Sequence, residues 1–258
     1  QVSFIQTLLA PGRQANGSYK YRLKGKFETG AKSAMRHNDT DMKGFIGTDG
    51  SNYTAASAYT DHFIYDDIIS AAYAQYSGKY KVIEYQAGLR AEQTIISGDS
   101  KTESKDFKRD YIDFFPSATL KYTLLGKNDL QLSYSRRINR PDRQALNPYT
   151  DFADSLNIRV GNPQIRPEYV NSFEFGYMRK FGNQSVSGTL YYRQTENLIT
   201  RYRTVDTLTG VTVTTFRNFS TAKNTGLELV VRNEFGKFLN ATTSFNIYKN
   251  KVDGSNVE

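Results

Sequence analysis

The chain is divided into long segments whose side chains alternate with a period of two, and the connections between these segments are by turns short and long. Strands that cross a membrane back and forth put every odd connection on one side and every even one on the other, so this ordering constrains the fold more than any single motif. A soluble β-sandwich has no comparable reason to segregate its loop lengths.

Strands are read from the alternation and connections from turn chemistry. A short stretch, residues 2–9, leads into a punctuated segment at 11–18 with Asn16-Gly17 as a turn signal. From 19 to about 35 the odd positions are largely aromatic, aliphatic or small, whereas Lys20, Arg22, Lys24, Lys26, Glu28 and Lys32 make the even set charged. Residues 36–61, polar and containing Gly44, Gly47 and Gly50, read as a long loop. Strand 62–77 then reaches a tight turn at Gly78-Lys79, and strand 80–96 carries Ile83, Tyr85, Ala87, Leu89 and Ala91 on one face against Glu84, Gln86, Gly88, Arg90 and Glu92 on the other.

A long polar connection is expected at 97–113, followed by a hairpin of strands 115–125 and 130–138 around a short turn at 126–129. The longest connection, 139–168, holds Pro141, Pro148, Pro163 and Pro167, which oppose a buried central strand there. Strand 169–181 shows Phe173, Phe175 and Tyr177 opposite Ser172, Glu174 and Gly176. Gly182-Asn183 turns it back into a strand running from 185 to about 200. A polar connection through Gly210, a strand at 219–235, a turn at Gly236-Lys237 and a strand at 239–249 complete the pattern. The expectation is all-β: an antiparallel transmembrane β-barrel seen in part, with nine clear strands and a tenth at the N-terminus.

Composition fits a wall with one wet face. Hydrophobic residues make up only 38% of the 258, yet there are 19 Tyr and 16 Phe; a soluble core of this size would draw on more Leu, Ile and Val, and disorder would not place aromatic residues throughout. No run of about twenty apolar residues is present, which excludes a helical span and leaves strands of about ten alternating positions. The formal charge of +8 invites a nucleic-acid reading. Because the basic residues of 20–26 alternate with Tyr19, Tyr21, Leu23, Gly25 and Phe27, they belong to a wet strand face, and no nucleic-acid partner is expected. The absence of Cys suits an oxidising envelope. No leader is visible in a chain running from Gln1 to Glu258, which reads as mature or trimmed.

Chemistry-bearing motifs are sparse. There is no phosphate-cradling glycine loop, nucleophile elbow or paired catalytic signature, and with two His and no Cys the chain is not expected to be an enzyme or to hold a cofactor. His37, Asp39 and Asp41 lie close together, as do Asp61, His62, Asp66 and Asp67, but neither group has metal-ligand spacing. Both read as solvated acidic loops, and no metal is expected.

Gly161-Asn162-Pro163-Gln164-Ile165-Arg166-Pro167-Glu168, followed by Phe173-Glu174-Phe175-Gly176-Tyr177, resembles the GNP-x-L-x-PE and E-x-G-Y element of TonB-dependent receptor barrels. Tyr85-Gln86-Ala87-Gly88-Leu89-Arg90-Ala91-Glu92 is similar to their YQAGLRxE strand. Together with Tyr73-Ala74-Gln75-Tyr76-Ser77-Gly78 and Leu146-Asn147-Pro148-Tyr149, these segments resemble the outer-membrane β-barrels of Bacteroidota near the SusC-like receptors, over roughly residues 18–250. The resemblance implies a barrel of about 22 strands, a bacterial outer-membrane location with long loops extracellular and short turns periplasmic, and import of a bulky nutrient. It also implies a plug, a TonB-contacting segment and further barrel strands that residues 1–258 do not visibly contain. The expected partners are outer-membrane lipid, those missing regions, the TonB system acting through them, and a surface lipoprotein. The alternative is a structural or interaction barrel within a surface assembly, without active transport.

Several residues stand out as candidates. Glu84, Arg90, Glu92, Glu174 and Glu228 are expected to face the lumen as a polar ladder. Tyr53, Tyr59, Tyr149 and Phe152 are candidate ligand contacts in the long loops, with loop packing as the plainer reading. Tyr65, Tyr80, Tyr122, Tyr191 and Tyr192 are candidates for interfacial girdles. Gly161, Asn162, Pro163, Pro167 and Glu168 read as a structural motif: each proline stiffens a loop descending into a strand, and Glu168 is expected to pair with an arginine such as Arg166.

Overall fold

The computed structural model describes residues 2–9, 24–47, 52–124, 128–235 and 238–256. Its strands are β1 (Val2–Leu9), β2 (Lys24–Met42), β3 (Phe45–Gly47), β4 (Tyr53–Ala55), β5 (Asp61–Tyr80), β6 (Ile83–Ser100), β7 (Lys105–Leu124), β8 (Asn128–Asn139), β9 (Thr150–Asp151), β10 (Asn157–Val160), β11 (Glu168–Phe181), β12 (Gln184–Val205), β13 (Thr212–Phe235) and β14 (Leu239–Asp253), with a one-turn helix α1 (Arg143–Leu146) before β9.

β1, β2, β5, β6, β7, β8, β11, β12, β13 and β14 follow one another as an antiparallel meander, matching the nine strands and N-terminal tenth read from the alternation. β9 and β10 join the same twelve-stranded sheet through a parallel pairing of β10 with the first residues of β13, while β3 and β4 form a separate small hairpin. Among the described residues β1 and β14 do not pair with each other, so the sheet is open.

The register carries the alternation from strand to strand. One row runs Tyr85, Leu120, Leu132, Phe175, Leu190, Leu227 and Ile247 across β6, β7, β8, β11, β12, β13 and β14. Apart from the half-buried Tyr85 these side chains stay uncovered: Leu132 is 55% exposed, Phe175 48% and Leu190 53%. Such a continuous apolar surface is unfavourable in water and suits hydrocarbon. The opposite face has the row Lys79, Glu84, Lys121, Gln131, Gly176, Thr189, Glu228 and Asn246. A one-residue slip in any pair would exchange the two faces, so the register is firmly specified.

Several boundaries differ from the sequence reading, for one physical reason. β2 continues to Met42, β6 and β7 run on until only residues 101–104 connect them, and β12 and β13 extend until only 206–211 remain. Thus two of the connections expected to be long are short, and 97–113 is mostly strand. Above a hydrocarbon band both faces of a strand meet water, so the side-chain alternation fades while the backbone ladder persists. With 24 residues, β13 far exceeds the roughly ten needed to cross.

The first hairpin turn also moves: Gly78 and Lys79 remain in β5, and the reversal falls at Lys81–Val82, with Lys81 at φ 53°. Gly78 instead leaves room for the Tyr85 ring, because a Cβ there would lie 2.4 Å from the Tyr85 hydroxyl oxygen. The turn at Gly182-Asn183 stands where expected, with Gly182 at φ 57°. The expected features at 11–18, Gly126 and Gly236-Lys237 lie outside the described residues.

The buried cluster sits on the polar face at the long-loop end. Phe63, Tyr65 and Ile96 pack with Ala145, Leu146 and Ile165, and Phe107, Ile199 and Phe216 close around them. The connection between β8 and β11 therefore folds back onto the sheet. Room for it arises at Pro116, beyond which the β7–β8 ladder does not continue: it ends at Ser117 opposite Ser135, next to a residue without a backbone N–H.

Candidate functional site

The element at 161–168 works as a clasp between β7 and β13. Gly161 lies against the carbonyls of Asn147, Ala145 and Gln144, where a Cβ would come within 2.2 Å of the first. Asn162 donates from its backbone to Ala145 O (2.7 Å) and from its side chain to Phe216 O (3.0 Å), and its own Oδ1 accepts from the backbone of Gln164 (2.9 Å). Arg109 on β7 donates to the carbonyls of Pro163 and Ile165. Asn218 on β13 holds Arg166 from both sides, accepting its N–H at 2.8 Å and donating to its carbonyl at 2.9 Å. Pro167 then leads directly into β11.

Glu168, 8% exposed, ends the clasp. Its partners differ from the expected arginine: Oε2 accepts from the Asn139 amide (2.7 Å) and Oε1 from the backbone N–H of Ile199 (2.5 Å). Neutral donors suffice because the carboxylate accepts charge-assisted hydrogen bonds on both oxygens, while Asn218 fixes the backbone of Arg166. The motif residues Gly161, Asn162, Pro163, Pro167 and Glu168 are thus gathered in one packed turn.

Arg140, at the exit of β8, points back onto the polar face. It donates to Glu92 (2.7 Å) and Thr94 (2.7 Å), while Arg90 pairs with the other Glu92 oxygen at 2.7 Å and lies over the Phe115 ring. Glu84 pairs with Lys79 (2.8 Å) and Glu174 with Arg193 (3.3 Å). The register places Glu84, Arg90, Glu92, Glu174 and Glu228 on one face, where Glu84 and Glu174 pair across strands and Arg90 pairs with Glu92 along β6.

Of the girdle candidates, Tyr80, Tyr122 and Tyr192 share the apolar face, but Tyr65 and Tyr191 do not. Tyr65 is buried in the cluster with Leu146, and Tyr191 sits on the polar face opposite Glu174. A tyrosine near a strand end is ambiguous until its parity is counted. The acidic stretches are likewise strands instead of loops: His37 meets Asp66 at 2.6 Å and His62 meets Asp39 at 2.9 Å across β2 and β5, while Asp67 pairs with Arg36. Among the described residues no group of three or more His, Asp or Glu is arranged to hold a metal ion.

Above the buried cluster lies a cleft of about 560 Å³, lined by Tyr59, Asp61, Tyr149, Asp151, Arg159, Arg201, Arg203 and Phe216 among others. It brings together two of the loop aromatics, Tyr59 and Tyr149, but not Tyr53 or Phe152, which are exposed elsewhere. The Tyr149 hydroxyl donates to Ala58 O at 3.1 Å, and burial, with Asp151 and Asp61 nearby, pushes its pKa above the ordinary tyrosine value. Arg201 lies over Phe216 with 5.9 Å between guanidinium carbon and ring centroid. The sequence reading missed Arg109, Arg140, Arg159, Arg201, Arg203 and Asn218. Arg201 and Arg203 share the parity of Arg193, a signal obscured by assigning their segment to a loop.

The profile of the outer membrane protein beta-barrel family matches residues 12–258. No curated protein sequence matches the chain. Among solved structures, the chain is similar to the copper transporter OprC (15% identity, TM-score 0.66, 92% of this chain and 36% of that one). It is also similar to a mutant of the ferric enterobactin receptor PfeA from Pseudomonas aeruginosa in complex with enterobactin (14%, 0.64, 96% and 35%) and to the unliganded ferric citrate transporter FecA (14%, 0.63, 97% and 34%). The chain spans about a third of the length of these structures, and at such identities the likeness is one of fold. The two-faced meander and the family match lead to one conclusion: this chain belongs to the outer membrane protein beta-barrel family.

Proposed function

We propose that the chain is part of the barrel wall of a TonB-dependent outer-membrane importer for a bulky nutrient. The observation that carries this reading is the two-faced sheet, apolar on one side and polar on the other, with a folded loop forming a cleft on the polar side. In this reading the apolar face meets lipid and the polar face, with Glu84, Arg90, Glu92, Glu174 and Glu228, lines the lumen. The ends bearing residues 43–60 and 140–167 are extracellular, and the turns at Lys81–Val82 and Gly182-Asn183 are periplasmic. The remaining strands of a barrel of about 22, a plug and the segment that engages TonB come from parts of the protein other than this chain. The motif resemblance to SusC-like receptors of Bacteroidota supports a surface lipoprotein as a further partner.

Two measurements test the proposal. The chain has no Cys, so single replacements Leu208→Cys and Val82→Cys report sidedness cleanly. A membrane-impermeant thiol reagent is expected to label the first on intact cells and the second only after the outer membrane is opened. Nutrient accumulation by cells carrying the whole protein should then collapse when the inner membrane is uncoupled. Accumulation indifferent to uncoupling, or absent altogether, would favour a passive or structural barrel.

A further inference from the structure

The cleft at the loop end contains an unusual balance of charge. Arg159, Arg201 and Arg203 all line it, and among the described residues none of the three is in an ion pair. Arg201 is steadied by the Phe216 ring, so its guanidinium is held without being neutralised. Two carboxylates share the wall. Asp151 accepts the backbone N–H of Ala153 at 2.9 Å. Asp61 is only 5% exposed: its Oδ2 accepts from the Asn147 amide at 2.6 Å, but its Oδ1 is buried without a hydrogen-bond partner among the described residues.

We infer that this cleft binds a saccharide bearing a carboxylate, an acidic sugar of the uronate type. Guanidinium groups match a carboxylate with paired, planar hydrogen bonds. Three cations against two carboxylates leave one positive charge in the lining, which a monoanion balances. A phosphate monoester, carrying about −1.5 to −2 at neutral pH, would over-compensate beside Asp61 and Asp151. Tyr59 and Tyr149 offer aromatic walls to the apolar faces of a pyranose ring. At about 560 Å³ the cleft falls within the roughly 300–1,000 Å³ of small-molecule sites. This inference rests on the proposed import function, whose substrate class it names.

The test is calorimetric titration of the whole protein, purified in detergent, with an oligosaccharide ending in a single galacturonate, a neutral oligosaccharide of equal length and a sugar phosphate. The oligosaccharide with a single galacturonate should bind best, its affinity should fall with added salt, and Arg203→Ala should weaken it by about tenfold or more. Arg201→Lys, which keeps the charge but loses the planar fork, should weaken it less than Arg203→Ala. Equal affinity for charged and neutral sugars, preference for the phosphate, or no binding of the uronate would overturn the assignment. The comparison among ligands uses unmodified protein and therefore stands even if a variant fails to assemble. Because no energised membrane is present, failure of the import proposal would leave this titration intact, and failure here would leave uncoupler-sensitive uptake intact.

Discussion

Replacing Leu89 with arginine puts the two-faced sheet to its most direct test. Leu89 lies on the apolar face of β6, 49% exposed, between Ala74 and Pro116 on the neighbouring strands. It is six positions from Ile83, where β6 begins at the short-turn end, a distance of about 20 Å along a strand rising ~3.3 Å per residue. With a tilt of about 40°, that becomes about 15 Å along the membrane normal, close to the middle of a hydrocarbon band about 25 Å tall. An arginine there should cost about 2–4 kcal/mol, lowering the folded-to-unfolded ratio about 30- to 900-fold. Gln86→Arg introduces the same side chain three residues away on the polar face and should shift stability by less than about 0.5 kcal/mol. The assay is denaturant titration of the whole protein refolded into lipid vesicles, read by the mobility difference between folded and unfolded forms on a gel. Equal stability of the two variants would refute the assignment of faces, and a larger loss for Gln86→Arg would reverse it.

Further outcomes follow from the clasp and the loops. Arg109→Ala removes the donors to two carbonyls, and at about 1–3 kcal/mol for each buried group left unpaired it should expose 140–167 to limited proteolysis; unchanged protection would show that the clasp closes without Arg109. Glu168→Gln preserves an acceptor for Ile199 and should be tolerated, whereas Glu168→Ala strands the Ile199 N–H and the Asn139 amide and should destabilise by about 2 kcal/mol or more. Equal losses in denaturant titrations of the two variants would contradict that hydrogen-bond assignment. The Leu208 backbone N–H and the Thr209 hydroxyl hold the Asp206 carboxyl below its ordinary pKa. Its contribution to the β12–β13 turn is therefore fully present above the unfolded value of about 3.9 and lost as pH falls through the lower folded value. Amide-exchange protection of Leu208, corrected for the intrinsic pH dependence of exchange, should fall over that acid range, and Asp206→Asn should abolish the pH dependence.

What the sequence determined by itself was the sheet's two-facedness. Side chains in a strand alternate without regard to what the strand packs against, so Leu89 and Gln86, or Phe175 and Glu174, are assigned to opposite faces by parity alone. The clasp residues were also legible, because two prolines in a short span restrict the backbone locally and a glycine beside them permits a close approach. Tertiary structure decided matters that depend on partners distant in the chain. Strand ends beyond the apolar band are set by backbone pairing, which continues where hydropathy has no more to say. Glu168 finds Asn139 and Ile199 instead of Arg166 only once β8, β11 and β12 are aligned, and Tyr65 becomes a core residue only when Leu146 folds onto it. The arginine-lined cleft needed all of these: Asp61, Arg159 and Arg203 lie far apart in sequence, and no local pattern specifies that the loop leaving the sheet after Asn139 will return to enclose them.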